Sequence, residues 1–111
     1  RKLHNVKSMG YLKSGIADSC AVIDEWSFQK KTFAIEIHYN SNDKFLKNPY
    51  AVCLYQINAN EKESYPDEIK KILKVQNFIW NQDNPGFWNS ATSKRKAKIL
   101  IQNLCAELNN L

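Results

Sequence analysis

The alternation over Thr32–Tyr39 constrains this chain most. Phe33, Ile35, Ile37 and Tyr39 fall on one side of an extended backbone, and Thr32, Ala34, Glu36 and His38 on the other. Period-two patterning in β-branched and aromatic residues predicts a half-buried strand over 32–39. A nearly unbroken apolar run, Tyr50–Ile57, follows after the turn-forming residues Asn40-Ser41-Asn42-Asp43 and a loop running to Asn48-Pro49. A run apolar on both faces predicts a central strand over 50–57, with Val52 and Leu54 facing one way and Cys53, Tyr55 and Ile57 the other. An antiparallel hairpin is the simplest way to join the two.

The rest of the chain supplies what such a sheet packs against. Pro66, Asp67 and Glu68 open a segment with Ile69, Ile72 and Leu73 at helical spacing, which predicts a helix over 66–75 with Pro66 at its first position and Ser64 or Tyr65 around the cap. Phe78-Ile79-Trp80 and Phe87-Trp88 flank Asn81-Gln82-Asp83-Asn84-Pro85-Gly86, the densest turn signal in the chain. They predict a hairpin with strands near 77–81 and 86–89. Thr92 or Ser93 caps a last helix over 93–110, whose core face is Ala97, Leu100, Ile101, Leu104, Leu108 and Leu111. Residues 20–28 read either as a further strand or as the end of a helix, with Gln29-Lys30-Lys31 as a polar connection. Residues 3–19 read as a short helix or an irregular arm, weakened by Gly10 and Gly15. The expected fold class is therefore α+β: a small antiparallel sheet packed against two or three helices, in a single domain over 1–111. With 111 residues, 43% of them hydrophobic, the chain has enough apolar material for one core and too little length for two.

Cationic side chains are distributed unevenly. The chain carries a net charge of +5. Between Ile69 and Lys98 stand seven cations (Lys70, Lys71, Lys74, Lys94, Arg95, Lys96, Lys98) and one acid, Asp83; between Ser14 and Gln29 stand three acids and no cation. A local positive field suits an anionic partner, either nucleic acid or an acidic protein. Lys94, Arg95, Lys96 and Lys98 are the sharpest feature, because they crowd the start of a helix. The helix dipole is positive there and disfavours each cation, so the placement opposes local stability. A bound anion would meet side-chain charge, free backbone N–H groups and the dipole together. Lys70, Lys71 and Lys74 would widen that footprint. Trp80 and Trp88 are candidates for base stacking or for anchoring an interface, against the plainer expectation that they staple the hairpin to the sheet.

No strong catalytic or metal pattern is present. Glu36 and His38 share a strand face, but His4 is the one other histidine, and no cysteine pair has zinc spacing. Cys20, Cys53 and Cys105 are widely spaced. Cys53 and Cys105 sit in apolar runs as buried free thiols would, which points to a reducing, cytoplasmic setting. No cofactor and no metal is expected. The chain opens on Arg1, as a processed product or a piece of a longer chain would, so a removed leader stays open. No apolar run reaches the roughly 20 residues of a membrane span.

Two local resemblances accompany these patterns. The stretch from Ile72-Leu73-Lys74 through Phe78-Ile79-Trp80-Asn81, the turn, Phe87-Trp88 and the following helix resembles a helix–hairpin–helix element of some DNA-processing proteins, the HARP domain among them. That resemblance implies a nucleic-acid partner. Pro49–Ile57 is similar to a strand in lipoproteins of the type VI secretion apparatus, which implies a subunit of a larger assembly. A helical C-terminus departs from the all-β sandwich of those lipoproteins, and the chain has no lipobox cysteine. Neither resemblance assigns a role to a residue. The expected function is a non-enzymatic binding module for nucleic acid. The alternative is a protein-interaction module, such as an immunity or inhibitor protein or an assembly subunit, meeting an acidic partner. An enzyme, a nuclease fragment for instance, ranks behind both.

Overall fold

The computed structural model describes residues 19–39 and 47–111. The expected N-terminal arm or helix, apart from residue 19, and the turn at Asn40–Asp43 lie outside the described residues. Five antiparallel strands form one sheet in the order β1-β2-β3-β5-β4. They are β1 (Ser19–Phe28), β2 (Lys31–Tyr39), β3 (Tyr50–Gln56), β4 (Ile79–Asn81) and β5 (Gly86–Ala91). Among the described residues two helices, α1 (Asp67–Val75) and α2 (Lys94–Leu108), complete the order β1-β2-β3-α1-β4-β5-α2, with a 3₁₀ turn at Lys62–Ser64 ahead of α1.

The ambiguous segment 20–28 is a strand, and the reason lies in the turn that follows it. Gln29 and Lys30 both take positive φ, 51° and 64°. Two consecutive left-handed residues form the tight turn whose twist matches a right-twisted hairpin, so β1 folds straight back onto β2. Asn-Gly or Asp-Gly normally marks such a turn, and neither stands here. Trp26 then pairs with Phe33 across the strands, ring centroids 5.3 Å apart. The expected β2–β3 hairpin is present in the register Ile35↔Leu54 and Ile37↔Val52. Ile57, expected at the end of the second strand, lies just beyond it.

Both helices lie on one face of the sheet. Phe33, Ile35, Ile37, Val52, Leu54 and Phe87 from the strands meet Ile69 and Leu73 of α1 and Ala97, Ile101, Leu104, Cys105 and Leu108 of α2 in one apolar cluster. Pro66 stands one place earlier than expected. It is extended (φ −58°, ψ 143°) and is itself the cap of α1, its carbonyl accepting the first helical bond from the Lys70 N–H at 3.0 Å. The C-terminus of α1 closes by the two-bond motif that a left-handed residue permits. Asn77 takes φ 64°, Phe78 N–H reaches the Leu73 carbonyl and Asn77 N–H the Lys74 carbonyl. This closure explains why Asn77 and Phe78, expected in a strand over 77–81, belong to the helix end instead. Asn81 then shapes the β4–β5 turn, its side-chain oxygen accepting from the N–H groups of Asp83 and Asn84. No helix among the described residues is long and apolar enough to cross a membrane.

Candidate functional site: the start of helix α2

Ser93 fixes where α2 begins. Its backbone is extended (φ −143°, ψ 159°), and its hydroxyl accepts from the Lys96 N–H at 3.2 Å, satisfying one of the unpaired donors of the first turn. Ala97, Ile101, Leu104, Cys105 and Leu108 are held in the core, so the residues between them are forced outward. Lys94, Arg95, Lys96 and Lys98 are accordingly all exposed. Among the described residues, no carboxylate lies within ion-pairing distance of the four. The first turn of α2 contains no acid and its last turn no base. Lys47, exposed in the approach to β3 with φ 59°, precedes Asn48, which reaches this end of β5.

The three lysines of α1 lie elsewhere. Tyr65, just ahead of α1, accepts a hydrogen bond from the Gln56 N–H at 2.7 Å, so α1 begins beside the last residue of β3. Helix α2 begins at the opposite end, beyond Ala91, which pairs with the first residue of β3, Tyr50. Past the end of α1, Gln76 donates to the Asn103 carbonyl at 3.1 Å, nine residues or about 14 Å along α2 from Lys94. Lys71 and Lys74 are exposed there, while Lys70 is half-buried and pairs with Asp67 at 3.3 Å. The two basic groups therefore occupy different parts of the helical layer.

The tryptophans also separate. They lie on opposite faces of the β4–β5 hairpin, Trp80 opposite Phe87 and Trp88 opposite Ile79. Trp80 packs edge-on against Tyr65 and Phe87 on the helical face, at 5.6 and 5.2 Å between centroids, and donates to Gln82 Oε1. Trp88 is 7% exposed and packs with Ala51 and Cys53 on the other face, its N–H donating to the Asn84 carbonyl. Phe87, the partner of Trp80, stands four residues before Ala91, which places Trp80 about 13 Å along β5 from the end nearest α2.

The face away from the helices carries a second polar group. The Glu36 carboxylate accepts from Tyr55 O–H at 2.5 Å on one oxygen and pairs with His38 Nε2 at 3.0 Å on the other. His38 in turn lies 5.1 Å from the Trp88 ring. Burial, reinforced by the hydrogen bond to Glu36 and the negative charge there, raises the Tyr55 hydroxyl well above the ordinary tyrosine value. A carboxylate engaged on both oxygens braces strands β2 and β3 across the sheet. Among the described residues, no group of three or more His, Cys, Asp or Glu is arranged to hold a metal ion. Cys53 and Cys105 are buried; Cys53 packs so closely on Gly86 that a Cβ there would come within 2.8 Å of its sulfur.

One concavity adjoins the cations. A cleft of about 390 Å³ opens between the approach to β3, the end of β5 and the flank of α2, with Lys96 in its wall. Asn48 donates to Ser90 Oγ at 2.7 Å beside it. The sequence offered no signal for this cleft, because its walls come from segments more than 40 residues apart. Comparison with protein-family models, with curated proteins and with solved structures finds no match to this chain.

Proposed function

We propose that this protein is a non-enzymatic binding module that holds a polyanion, foremost nucleic acid, at the start of α2. One observation carries this reading: four cations are exposed around a capped helix terminus whose dipole opposes them, with no acid in that turn. A backbone phosphate entering there would relieve the mutual repulsion of Lys94, Arg95, Lys96 and Lys98. It would also accept from the first-turn N–H groups. The footprint is narrower than the distribution of cations along the sequence suggests, because Lys70, Lys71 and Lys74 contribute only long-range field from α1. Stacking on Trp80 or Trp88 is a weak part of the proposal, since both rings are engaged in packing.

An acidic protein partner is the second reading, favoured by Ile99, which is 46% exposed next to these cations. An aliphatic side chain beside positive charge suits an acidic protein surface with an apolar centre. Purification without nuclease separates the two. Nucleic acid that copurifies and is released by salt supports the first. A stoichiometric protein partner that survives nuclease treatment supports the second and contradicts the first.

A further inference from the structure

We infer that the cleft beside Lys96 accepts one unstacked nucleobase, so that the module prefers single-stranded nucleic acid; the inference rests on the polyanion reading above and names its ligand more closely. The cleft is assembled from three separate segments, so it is more than a helix terminus. Asn48 comes from the approach to β3, Ser90, Ala91 and Thr92 from the end of β5, and Lys96, Ile99 and Leu100 from α2. Its volume, about 390 Å³, falls in the range of small-ligand clefts and suits a nucleotide-sized guest.

The lining matches the two surfaces of a base. Ala91, Ile99 and Leu100 provide an aliphatic floor for a flat π-face. Thr92, exposed at the rim, provides a hydroxyl for a base edge. The hydrogen bond from Asn48 Nδ2 to Ser90 Oγ, at 2.7 Å, ties the approach to β3 to the end of β5 behind that rim. A hydroxyl can both donate and accept, as the edge of a base requires. Lys96 stands in the same wall, so a phosphate attached to the guest nucleotide meets a cation without leaving the α2 start. A base stacked within a duplex cannot enter such a cleft; one in a single strand can be turned out into it.

The consequence is that base contact and phosphate contact come from neighbouring walls of one site. It needs neither tryptophan. The two contributions also separate experimentally. Phosphate contact sets the salt dependence, and base contact sets the difference between a strand with bases and one without.

The test uses the full chain and two labelled single strands of about ten nucleotides, one of ordinary thymidines and one with an abasic sugar–phosphate backbone. Duplex DNA serves as a third ligand. Binding is measured by fluorescence anisotropy across a salt series. The wild-type chain is expected to bind the base-bearing strand about ten-fold more tightly than the abasic one, the order that burying roughly 60 Å² of apolar surface supplies. Ile99→Ser, at the exposed part of the aliphatic floor, should bring that ratio close to one while the salt slope stays unchanged. Asn48→Ala, which removes only the tie to Ser90, should leave the ratio unchanged. Circular dichroism of both variants checks that they remain folded. Equal salt-dependent affinity for both strands, tighter binding to duplex, or a full ratio in Ile99→Ser would each overturn the cleft inference and leave the polyanion reading standing. Absence of salt-dependent binding to all three ligands would overturn the polyanion reading, and the inference with it.

Discussion

The two helices begin in opposite ways. Helix α1 opens with Asp67 and Glu68 and carries Lys74 in its last turn, the distribution the dipole favours. Helix α2 opens with Lys94, Arg95 and Lys96, has no acid in its first turn and no base in its last. Both helices present one face to the same core, so packing against the sheet does not account for the difference. The start of α1 is arranged for the stability of the fold. The start of α2 carries a local electrostatic cost, which binding an anion would turn into a gain. Charge at a helix end is thus more informative when compared between helices of one domain than when summed over the chain.

The largest test of that comparison is charge reversal at one helix start only. Lys94→Glu, Arg95→Glu and Lys96→Glu together should weaken binding to a single-stranded oligonucleotide by about a hundredfold. The same variant should melt at a higher temperature, because three acids replace three cations at the positive end of the dipole; about 2 kcal/mol in total is expected. Lys71→Gln with Lys74→Gln in α1 should change affinity by less than about threefold, as screened and distant charges do. Equal losses from both helices would break the comparison.

Next in size is an alkaline effect at Tyr65, just ahead of α1, which adds to that of Tyr55 in β3. Burial pushes the Tyr65 hydroxyl up to about 12, against an ordinary value of 10.0, despite the Gln56 N–H that favours its ionised form. A raised folded-state value means that stability is fully present below pH 10 and is lost as pH rises from there toward 12. Unfolding followed by circular dichroism should therefore show a flat stability up to about pH 10 and a decline above it. Tyr65→Phe should remove that part of the decline. Its midpoint stability at neutral pH should also drop, because the Gln56 N–H loses its acceptor.

Smaller effects distinguish the two caps. Ser93→Ala removes the side-chain acceptor at the start of α2 and should cost about 1 kcal/mol in chemical denaturation. Pro66 caps α1 through its backbone alone, so α1 has no comparable side chain to lose. Smallest of all, Asp67→Asn should lower stability and Lys94→Gln should raise it, each by about 0.3–1 kcal/mol. Changes of the same sign would show that the dipole is not what distinguishes the two helices.

The architecture was legible wherever a signal is local. Alternation from Thr32 to Tyr39 marked β2, the apolar run from Tyr50 marked β3, and Ser93 with the spacing of Ala97, Ile101, Leu104 and Leu108 marked α2 and its outward cations. What the sequence hid depends on pairing between distant segments or on unusual backbone. Gln29-Lys30 turns the chain through two left-handed residues without the glycine or asparagine that normally announces it. Trp80 and Trp88 look like a pair flanking a turn, yet strand alternation sends them to opposite sides of the hairpin. Glu36 is two residues from His38, but nothing local shows that Tyr55 closes on the other carboxylate oxygen from the neighbouring strand. The cleft is the extreme case, since Asn48 and Ser90 meet across 42 positions.

The most direct measurement is the salt dependence of binding to a single-stranded oligonucleotide, compared between the wild-type chain and one carrying Lys94→Gln, Arg95→Gln, Lys96→Gln and Lys98→Gln. Each phosphate neutralised on a single strand contributes about 0.7 to the slope of log affinity against log salt. If all four cations hold phosphates, the substituted chain should lose about 3 from that slope and most of its affinity. A slope shared by the two chains, or wild-type binding indifferent to salt, would contradict the assignment of the α2 start as the anion-binding surface.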